Sequence, residues 1–156
     1  MATVLPLVIK NGQIQQLQSG DSLQNIELPQ LTNSNAAALV IGTTVYSIGN
    51  DTVDKALGSA LATSYPIGLM QPTSTATATL GGVQMQGVLA ATTAQWDAVA
   101  GTTGGLTKNV IYYLSAAVAG SLTSVAPSTP GQFVVQVGQG ISTTELKIDI
   151  KPSILL

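Results

Sequence analysis

Short apolar runs separated by Gly, Pro or Ser recur through the second half of the chain. They occupy residues 110–114, 133–137 and 146–150. In the last run every second residue is apolar and the residues between them are charged, which is the period of a strand with one buried face. Short strands at such intervals are typical of sandwiches and barrels. We therefore predict an all-β fold, an antiparallel β-sandwich or barrel.

The first half shows the same extended character with more interruptions. Residues 36–48 pass from an Ala-rich run to β-branched and aromatic residues, which predicts two strands or one long bent strand before a turn at Gly49. Residues 66–70 resume extended structure, and residues 73–80 and 83–86 predict hairpin strands, with a turn at Gly81-Gly82 between them. The glycine pairs at 81–82 and 104–105 lack the following Lys-Ser/Thr, or the βαβ context, of a phosphate-binding loop. Both pairs are therefore interpreted as turns.

Two segments have helical features. In residues 92–101, Thr92 is positioned to cap the amide of Gln95, Gln95 can reach back, and Gly101 ends the segment, which predicts one short helix near 92–100. We expect Trp96 to face the core from this helix rather than to form a ligand platform. In residues 51–63, apolar side chains recur at helical spacing and predict a second short helix, although Gly58 weakens it. The members of this apolar set are Val53, Ala56, Leu57, Ala60 and Leu61.

The chain divides into three parts. Residues 1–30 are predicted to form an extended N-terminal arm, with a hairpin-type turn at Asn11-Gly12. Its apolar side chains are too few for a core of their own, so the arm should lie on the sheet of its own domain or on another chain. Residues 31–150 form the β-sandwich or barrel domain, and residues 151–156 form an apolar C-terminal tail.

The amino-acid composition excludes several classes of function. Charged residues make up 8% of the chain, where about a quarter is usual, so the surface is polar but nearly uncharged. Such a surface repels its own copies poorly and suits coverage by partners. The five basic residues are all Lys and are scattered, so no nucleic-acid groove and no anionic membrane surface is expected. The uncharged stretch between Lys55 and Asp97 is broken by Gly and Pro, so we expect no membrane span.

Chemistry-bearing residues are scarce. The chain has no His and no Cys, which excludes Ser-His and Cys-His arrangements, imidazole or thiolate metal sites, and disulfides. Asp51 and Asp54 are close enough to share a cation, but a turn followed by a helix start explains both acids better. No pair of carboxylates stands out as an acid and base. We therefore expect no enzyme activity, no cofactor and no metal. No basic segment precedes an apolar stretch at the N-terminus, so synthesis in the cytosol is expected.

A faint internal similarity links the two halves. Residues 42–48 leading to residues 66–69, and residues 108–114 leading to residues 133–138, are each a strand containing Tyr, a variable loop and a strand containing Gly. Two such units would pack as halves of one domain. Recurrence of ordinary strand patterning explains the similarity equally well.

The sequence resembles a known class of proteins in two regions. Four segments carry the resemblance: LVIKNGQIQQLQSGD at 7–21, GGLTKNVIYYLS at 104–115, GSLT at 120–123 and PGQFVVQVGQGISTTELKIDI at 130–150. They resemble segments of tailed-bacteriophage virion proteins, namely head decoration (cement) proteins, head fibres and tail fibres. The quoted segments make up about a third of the chain. The resemblance implies a homotrimer that sits on the capsid or the tail and is made in the host cytoplasm. On the capsid, its expected partner is the major capsid protein.

These observations give two expectations for function. The first is a capsid decoration protein that stabilises the phage head by bridging capsid subunits. Its expected contact residues are apolar and lie near the two ends of the chain: Leu5, Leu7, Ile9, Ile154, Leu155 and Leu156. The alternative is a receptor-binding phage fibre or adhesin module that recognises a glycan through exposed Tyr46, Tyr112 or Trp96.

Overall fold

The computed structural model describes residues 7–10, 13–16, 28–71 and 74–156. Within these residues there is one α-helix, α1 (Thr93–Ala100), and a 3₁₀ turn at Leu61–Thr63. The strands are β1 (Leu7–Lys10), β2 (Gln13–Gln16), β3 (Gln30–Asn33), β4 (Leu39–Val40), β5 (Thr44–Gly49), β6 (Thr52–Lys55), β7 (Gly68–Met70), β8 (Ser74–Thr75), β9 (Leu80–Gln84), β10 (Gly87–Ala90), β11 (Ile111–Leu114), β12 (Leu122–Thr123), β13 (Phe133–Val134), β14 (Gln136–Gly140), β15 (Glu145–Ile148) and β16 (Ile154–Leu155). The predicted all-β fold with one short helix is confirmed.

The first half of the domain is a closed barrel. Its five strands follow the order β3-β6-β5-β7-β9 and close on themselves, with β3 and β6 parallel and the other pairs antiparallel. Strands β4 and β8 pair with each other as a short ribbon. The barrel interior is filled by apolar side chains with no solvent exposure: Leu39, Val45, Val53, Met70 and Val83.

The second half is an open antiparallel sheet of five strands. Its order is β10-β15-β14-β11-β12, and β13 pairs separately with β16. The inner face of this sheet supplies buried residues at every second position of β15, while Glu145 and Lys147 lie on the opposite face, as the alternation predicts. Buried residues from the barrel half join the same cluster, so the core runs through both halves.

The two halves share the order in which their strands pair, apart from the parallel pair of β3 and β6 that closes the barrel. In the barrel, the first strand β3 pairs with β9, β9 with β7, β7 with β5 and β5 with β6. In the sheet, β10 pairs with β15, β15 with β14, β14 with β11 and β11 with β12. Strands β3, β5, β6, β7 and β9 therefore correspond in chain order to β10, β11, β12, β14 and β15.

Backbone hydrogen bonds match between the halves as well. Gly42 N–H donates to Met70 O at 2.8 Å, and Asn109 N–H donates to Gly140 O at 2.7 Å. Met70 N–H and Gly140 N–H return bonds of 2.9 Å to the residues that follow Gly42 and Asn109. Both turn residues have positive φ, +82° for Gly42 and +65° for Asn109. Two units related in this detail support packing as halves of one domain over chance recurrence of strand patterns.

Helix α1 joins the halves. Its capping box is formed, because Gln95 N–H donates to the Thr92 side chain and the Gln95 side chain accepts from Thr92 N–H, and Gly101 ends it in the left-handed conformation. Trp96 has no solvent exposure and its Nε1 donates to Thr144 O at 2.9 Å. A Cβ at Gly42 would lie 3.0 Å from the Trp96 ring, so the helix packs directly on the barrel turn. The prediction that Trp96 faces the core is confirmed.

The loop after α1 is held by one carboxylate. Asp97 Oδ1 accepts from Gly105 N–H and from the Thr102 hydroxyl, each at 2.8 Å, and Oδ2 accepts from Gly104 N–H at 3.0 Å. The Gly105 amide and then the Thr102 hydroxyl lower the pKa of Asp97 below its ordinary value, against an opposing effect of burial. Asp97 therefore stabilises the fold above the ordinary carboxyl pKa, and this contribution is lost as pH falls through the lower folded value.

Replacing Asp97 by Asn is expected to lower the Tm by a few degrees at neutral pH. The carboxylate accepts three hydrogen bonds on two charged oxygens, whereas an amide has one neutral acceptor oxygen and an NH₂ group that cannot accept. The difference from wild type should shrink as pH falls through the lowered pKa of Asp97, where the wild-type carboxylate itself becomes protonated. Thermal melts followed by circular dichroism from neutral pH into the acid range measure it. Asp51→Asn is the matched control, since Asp51 lies exposed in a turn with positive φ that Asn adopts readily. Equal melts of the two variants would contradict the role of Asp97.

Three local predictions are wrong. Residues 51–63 form β6 and a 3₁₀ turn instead of a helix, because β6 is held between β3 and β5 and only part of the apolar set is buried. Gly81 and Gly82 lie inside β9 and not in a turn. Most of the described residues 74–80 are not in a strand: β8 covers two residues, and Ala78 has φ of +57° in the turn that follows.

The hairpin at the start of the chain agrees with its prediction as far as it is described. Strands β1 and β2 are antiparallel, and Ile9 lies opposite Ile14 and Lys10 opposite Gln13. The Asn11-Gly12 turn itself, with residues 1–6 and 17–27, lies outside the described residues. The boundaries of the arm and the tail stay predictions.

Candidate contact surface

The last strand carries a run of exposed apolar residues. Ile154 and Leu155 are each 62% exposed and Leu156 is 45% exposed. The run is held to the domain on one side, since Val134 lies opposite Ile154 and Leu156 exchanges two backbone hydrogen bonds of 3.0 Å with residues 131 and 132. This placement fixes the strand without covering its side chains.

On its other side β16 pairs with no strand in the part of the chain that the structure describes, and we call this side its free edge. In an antiparallel pair, alternate residues direct their backbone groups toward the partner strand. Leu156 bonds toward β13, so the N–H and C=O of Leu155 face away from it. Unpaired backbone groups beside exposed apolar side chains are the features on which another chain can add a strand.

A neighbouring segment extends this surface. The hydroxyl of Ser153 donates to that of Ser64 at 3.1 Å, which places β16 beside residues 61–65. This segment carries Leu61 and Tyr65, each 57% exposed. We define the apolar patch as Leu61, Tyr65, Ile154, Leu155 and Leu156. Sequence reasoning missed the first two, because it placed Leu61 on a helix and Tyr65 had no pattern that separated it from a core residue.

Charge is concentrated elsewhere. Glu145 and Lys147 lie on the outer face of the second sheet, and just beyond β15 Lys151 Nζ lies 2.7 Å from Asp149 Oδ1 in an exposed ion pair. None of the apolar patch residues is charged. The patch therefore suits an apolar partner surface, and the outer face of β15 suits water.

The predicted contact residues are only partly placed. Leu5 lies outside the described residues, and Leu7 and Ile9 lie in β1, which pairs with β2 in a two-stranded sheet of its own. Among the described strands, neither β1 nor β2 pairs with β16. The roles of all six predicted residues stay predictions.

The aromatic residues proposed for glycan stacking are not exposed. Trp96 and Tyr112 have no solvent exposure, and Tyr112 is fixed by its hydroxyl, which accepts from Thr107 N–H at 2.8 Å. Tyr46 is half-buried and packs on the core. The expectation that these side chains form an exposed stacking platform is wrong for Trp96 and Tyr112, because both complete the core.

Asp51 and Asp54 have structural positions in and beside strand β6. Asp54 Oδ1 accepts from Asn35 Nδ2 and from Lys55 N–H, each at 2.7 Å, which secures β6 to the segment after β3. Asp51 occupies the turn that its sequence predicted. In the part of the chain that the structure describes, no group of three or more His, Cys, Asp or Glu is placed to hold a metal ion, and no helix is long and apolar enough to cross a membrane.

Comparison with protein-family models, with curated proteins and with solved structures found no match to this chain.

Proposed function

We propose that the protein is a structural virion component, a capsid decoration protein that stabilises a phage head by bridging capsid subunits. The observation that carries this proposal is the exposed apolar strand β16 with its free edge. Three consecutive exposed apolar residues beside unpaired backbone favour contact with another protein chain. The virion setting rests on the sequence resemblance and on the low charge of the chain.

The mechanism is burial of apolar surface against capsid subunits. Removing apolar surface from water is worth about 25 cal/mol per Å² before the costs of association are subtracted. The apolar patch alone is small for a stable interface, so each contact is weak. Copies that associate with one another, as a homotrimer, engage several capsid sites at once and gain avidity from multivalency. The partners of this surface are the major capsid protein and further copies of the chain.

Sedimentation equilibrium of the purified protein, followed by binding to capsids that lack it, tests the proposal. A stable trimer that saturates such capsids and raises their melting temperature is the expected result. A persistent monomer that neither binds capsids nor changes their melting would overturn the proposal. Deleting residues 1–10 tests the arm separately, since unchanged particle binding would assign the contact to the apolar patch alone.

A further inference from the structure

A second surface of the barrel half has the features of a small-ligand site. A depression of about 480 Å³ opens on the barrel beside β9, within the range of about 300–1,000 Å³ that small-molecule sites occupy. Its described lining includes Gln30, Gln71, Thr79 and Leu80, and none of the described lining residues is charged. The apolar patch around β16 contributes none of them.

The floor of the depression is made by glycine within a strand. A Cβ at Gly82 would lie 3.3 Å from Gln30 Nε2 and 3.3 Å from Leu28 Cδ1, so even a methyl group would intrude between the walls. Glycine inside a strand often marks a place where a ligand approaches the backbone closely. The absence of a side chain at Gly82 therefore leaves the depression open.

The second half of the domain provides an internal comparison. Val83 lies opposite Met70 as Leu146 lies opposite Gly140, so the strand positions equivalent to 81 and 82 are 144 and 145. These are Thr144 and Glu145, and the Glu145 carboxylate accepts from the Ser142 hydroxyl at 3.2 Å. The shared topology therefore does not require glycine at these two positions. At Gly81 an added Cβ would collide with Thr75 and Met70, so packing inside the barrel accounts for that glycine, and only Gly82 faces Gln30 and Leu28 in the depression.

One lining residue has an unsatisfied polar atom. Thr75 is only 3% exposed, and its Oγ1 has no hydrogen-bond partner within the described structure. That oxygen is sealed from solvent and packs against Gly81, where an added Cβ would collide with it, so it faces the barrel interior and offers no contact to a ligand in the depression.

We propose that this depression binds a neutral saccharide. The amides of Gln30 and Gln71 each offer a donor and an acceptor, which suits the neighbouring hydroxyls of a sugar ring, and Leu80, 63% exposed, offers an apolar contact to its C–H face. The described part of the lining carries no charge and gives no advantage to phosphate or to acidic sugars. An extended peptide is disfavoured, because β3, β7 and β9 are already paired on both sides within the barrel and leave no free edge. This site is independent of the proposed decoration function.

Titration of ¹⁵N-labelled protein with neutral oligosaccharides, followed by NMR, tests the site. The probes are maltotriose, cellotriose, chitotriose and lactose, with sialyllactose as the charged counterpart of lactose. At least one neutral probe is expected to shift the amide signals of Gly81, Gly82 and the Gln30 and Gln71 side chains at concentrations up to about 10 mM, since a small site without charge or stacking binds weakly. The shifts should persist at high salt. No shift with any neutral probe would overturn the proposal.

Two variants locate the binding. Gly82→Val fills the depression at a strand position without positive φ and should lower affinity by more than tenfold, and Gln71→Ala on the rim should lower it with little risk to folding. Gly49→Val is the matched control, an exposed strand glycine whose Cβ would meet only Thr52 Oγ1 at 3.4 Å. Equal binding by wild type and Gly82→Val would reject the saccharide assignment. The peptide Ser-Ile-Leu-Leu, which has the sequence of residues 153–156, is a non-sugar probe, and the same shifts with this peptide would also reject the assignment.

Discussion

Replacing Trp96 by Ala is expected to lower the free energy of unfolding by about 3–5 kcal/mol, the range for truncating a large buried aromatic residue. Trp96 has no solvent exposure and packs on the barrel turn at Gly42. Its loss also leaves the carbonyl of Thr144 without the indole donor at 2.9 Å. Since domains of this size are stable by about 5–15 kcal/mol, the variant should be close to unfolding.

Urea denaturation followed by circular dichroism measures the effect, because the variant has lost the only Trp and its fluorescence. Trp96→Phe is the control, since it keeps a ring on Gly42 and loses only the hydrogen bond and part of the volume. Its expected loss is smaller, about 1–3 kcal/mol. The core is continuous across the halves, so both variants should still unfold in one transition. A loss below about 1 kcal/mol in Trp96→Ala would show that α1 does not hold the halves together.

Helix α1 could be predicted because its signals are local. The capping box of Thr92 and Gln95 and the terminal Gly101 lie within ten residues and need no partner to be recognised. Residues 51–63 have helical spacing too, but β6 gains two neighbouring strands in the barrel, one of them β3, about twenty residues earlier in the chain. Pairing over such a distance cannot be seen in local periodicity, and it decided the structure.

The register between the two similar strands was the second feature that the sequence could not predict. By sequence, the Tyr residues of the two similar strands appear equivalent. In the structure Val45 lies opposite Gly68 and Tyr112 lies opposite Gly138, so Tyr112 corresponds to Val45, and both are fully buried. Tyr46 falls one residue further along, on the other face of its strand. A shift of one residue exchanges the two faces of a strand, so the internal similarity could be seen in the sequence while its alignment could not.

The candidate contact surface, too, was predictable only in its local features. The apolar character of residues 154–156 is evident from sequence, whereas their exposure depends on which strand covers them. Leu61 was assigned to a buried helix face and is 57% exposed, because the 3₁₀ turn directs no residue into the core. The barrel depression had no sequence signal beyond Gly81-Gly82, which is more often a turn than the floor of a site.

Leu155→Lys is expected to weaken binding to capsids by at least tenfold per site while leaving the Tm near that of wild type. Leu155 is 62% exposed, so a Lys there extends into water in the free protein. In a contact it would replace an apolar side chain whose full burial is worth about 1.5–3 kcal/mol, and it would bring a charge that must be desolvated. Since 1.4 kcal/mol is a factor of about ten, and avidity multiplies the loss across copies, retention on particles should fall further.

Cosedimentation of the purified variant with capsids that lack the protein, across a dilution series, measures the loss. Val125→Lys is the matched control: Val125 is 74% exposed and lies outside the apolar patch, so it adds the same charge to the chain without touching the proposed contact. Its binding should equal that of wild type. If both variants lose binding equally, net charge and not the patch governs association. If neither loses binding, the free edge of β16 is not the contact, and the arm that contains Leu5, Leu7 and Ile9 becomes the surface to test.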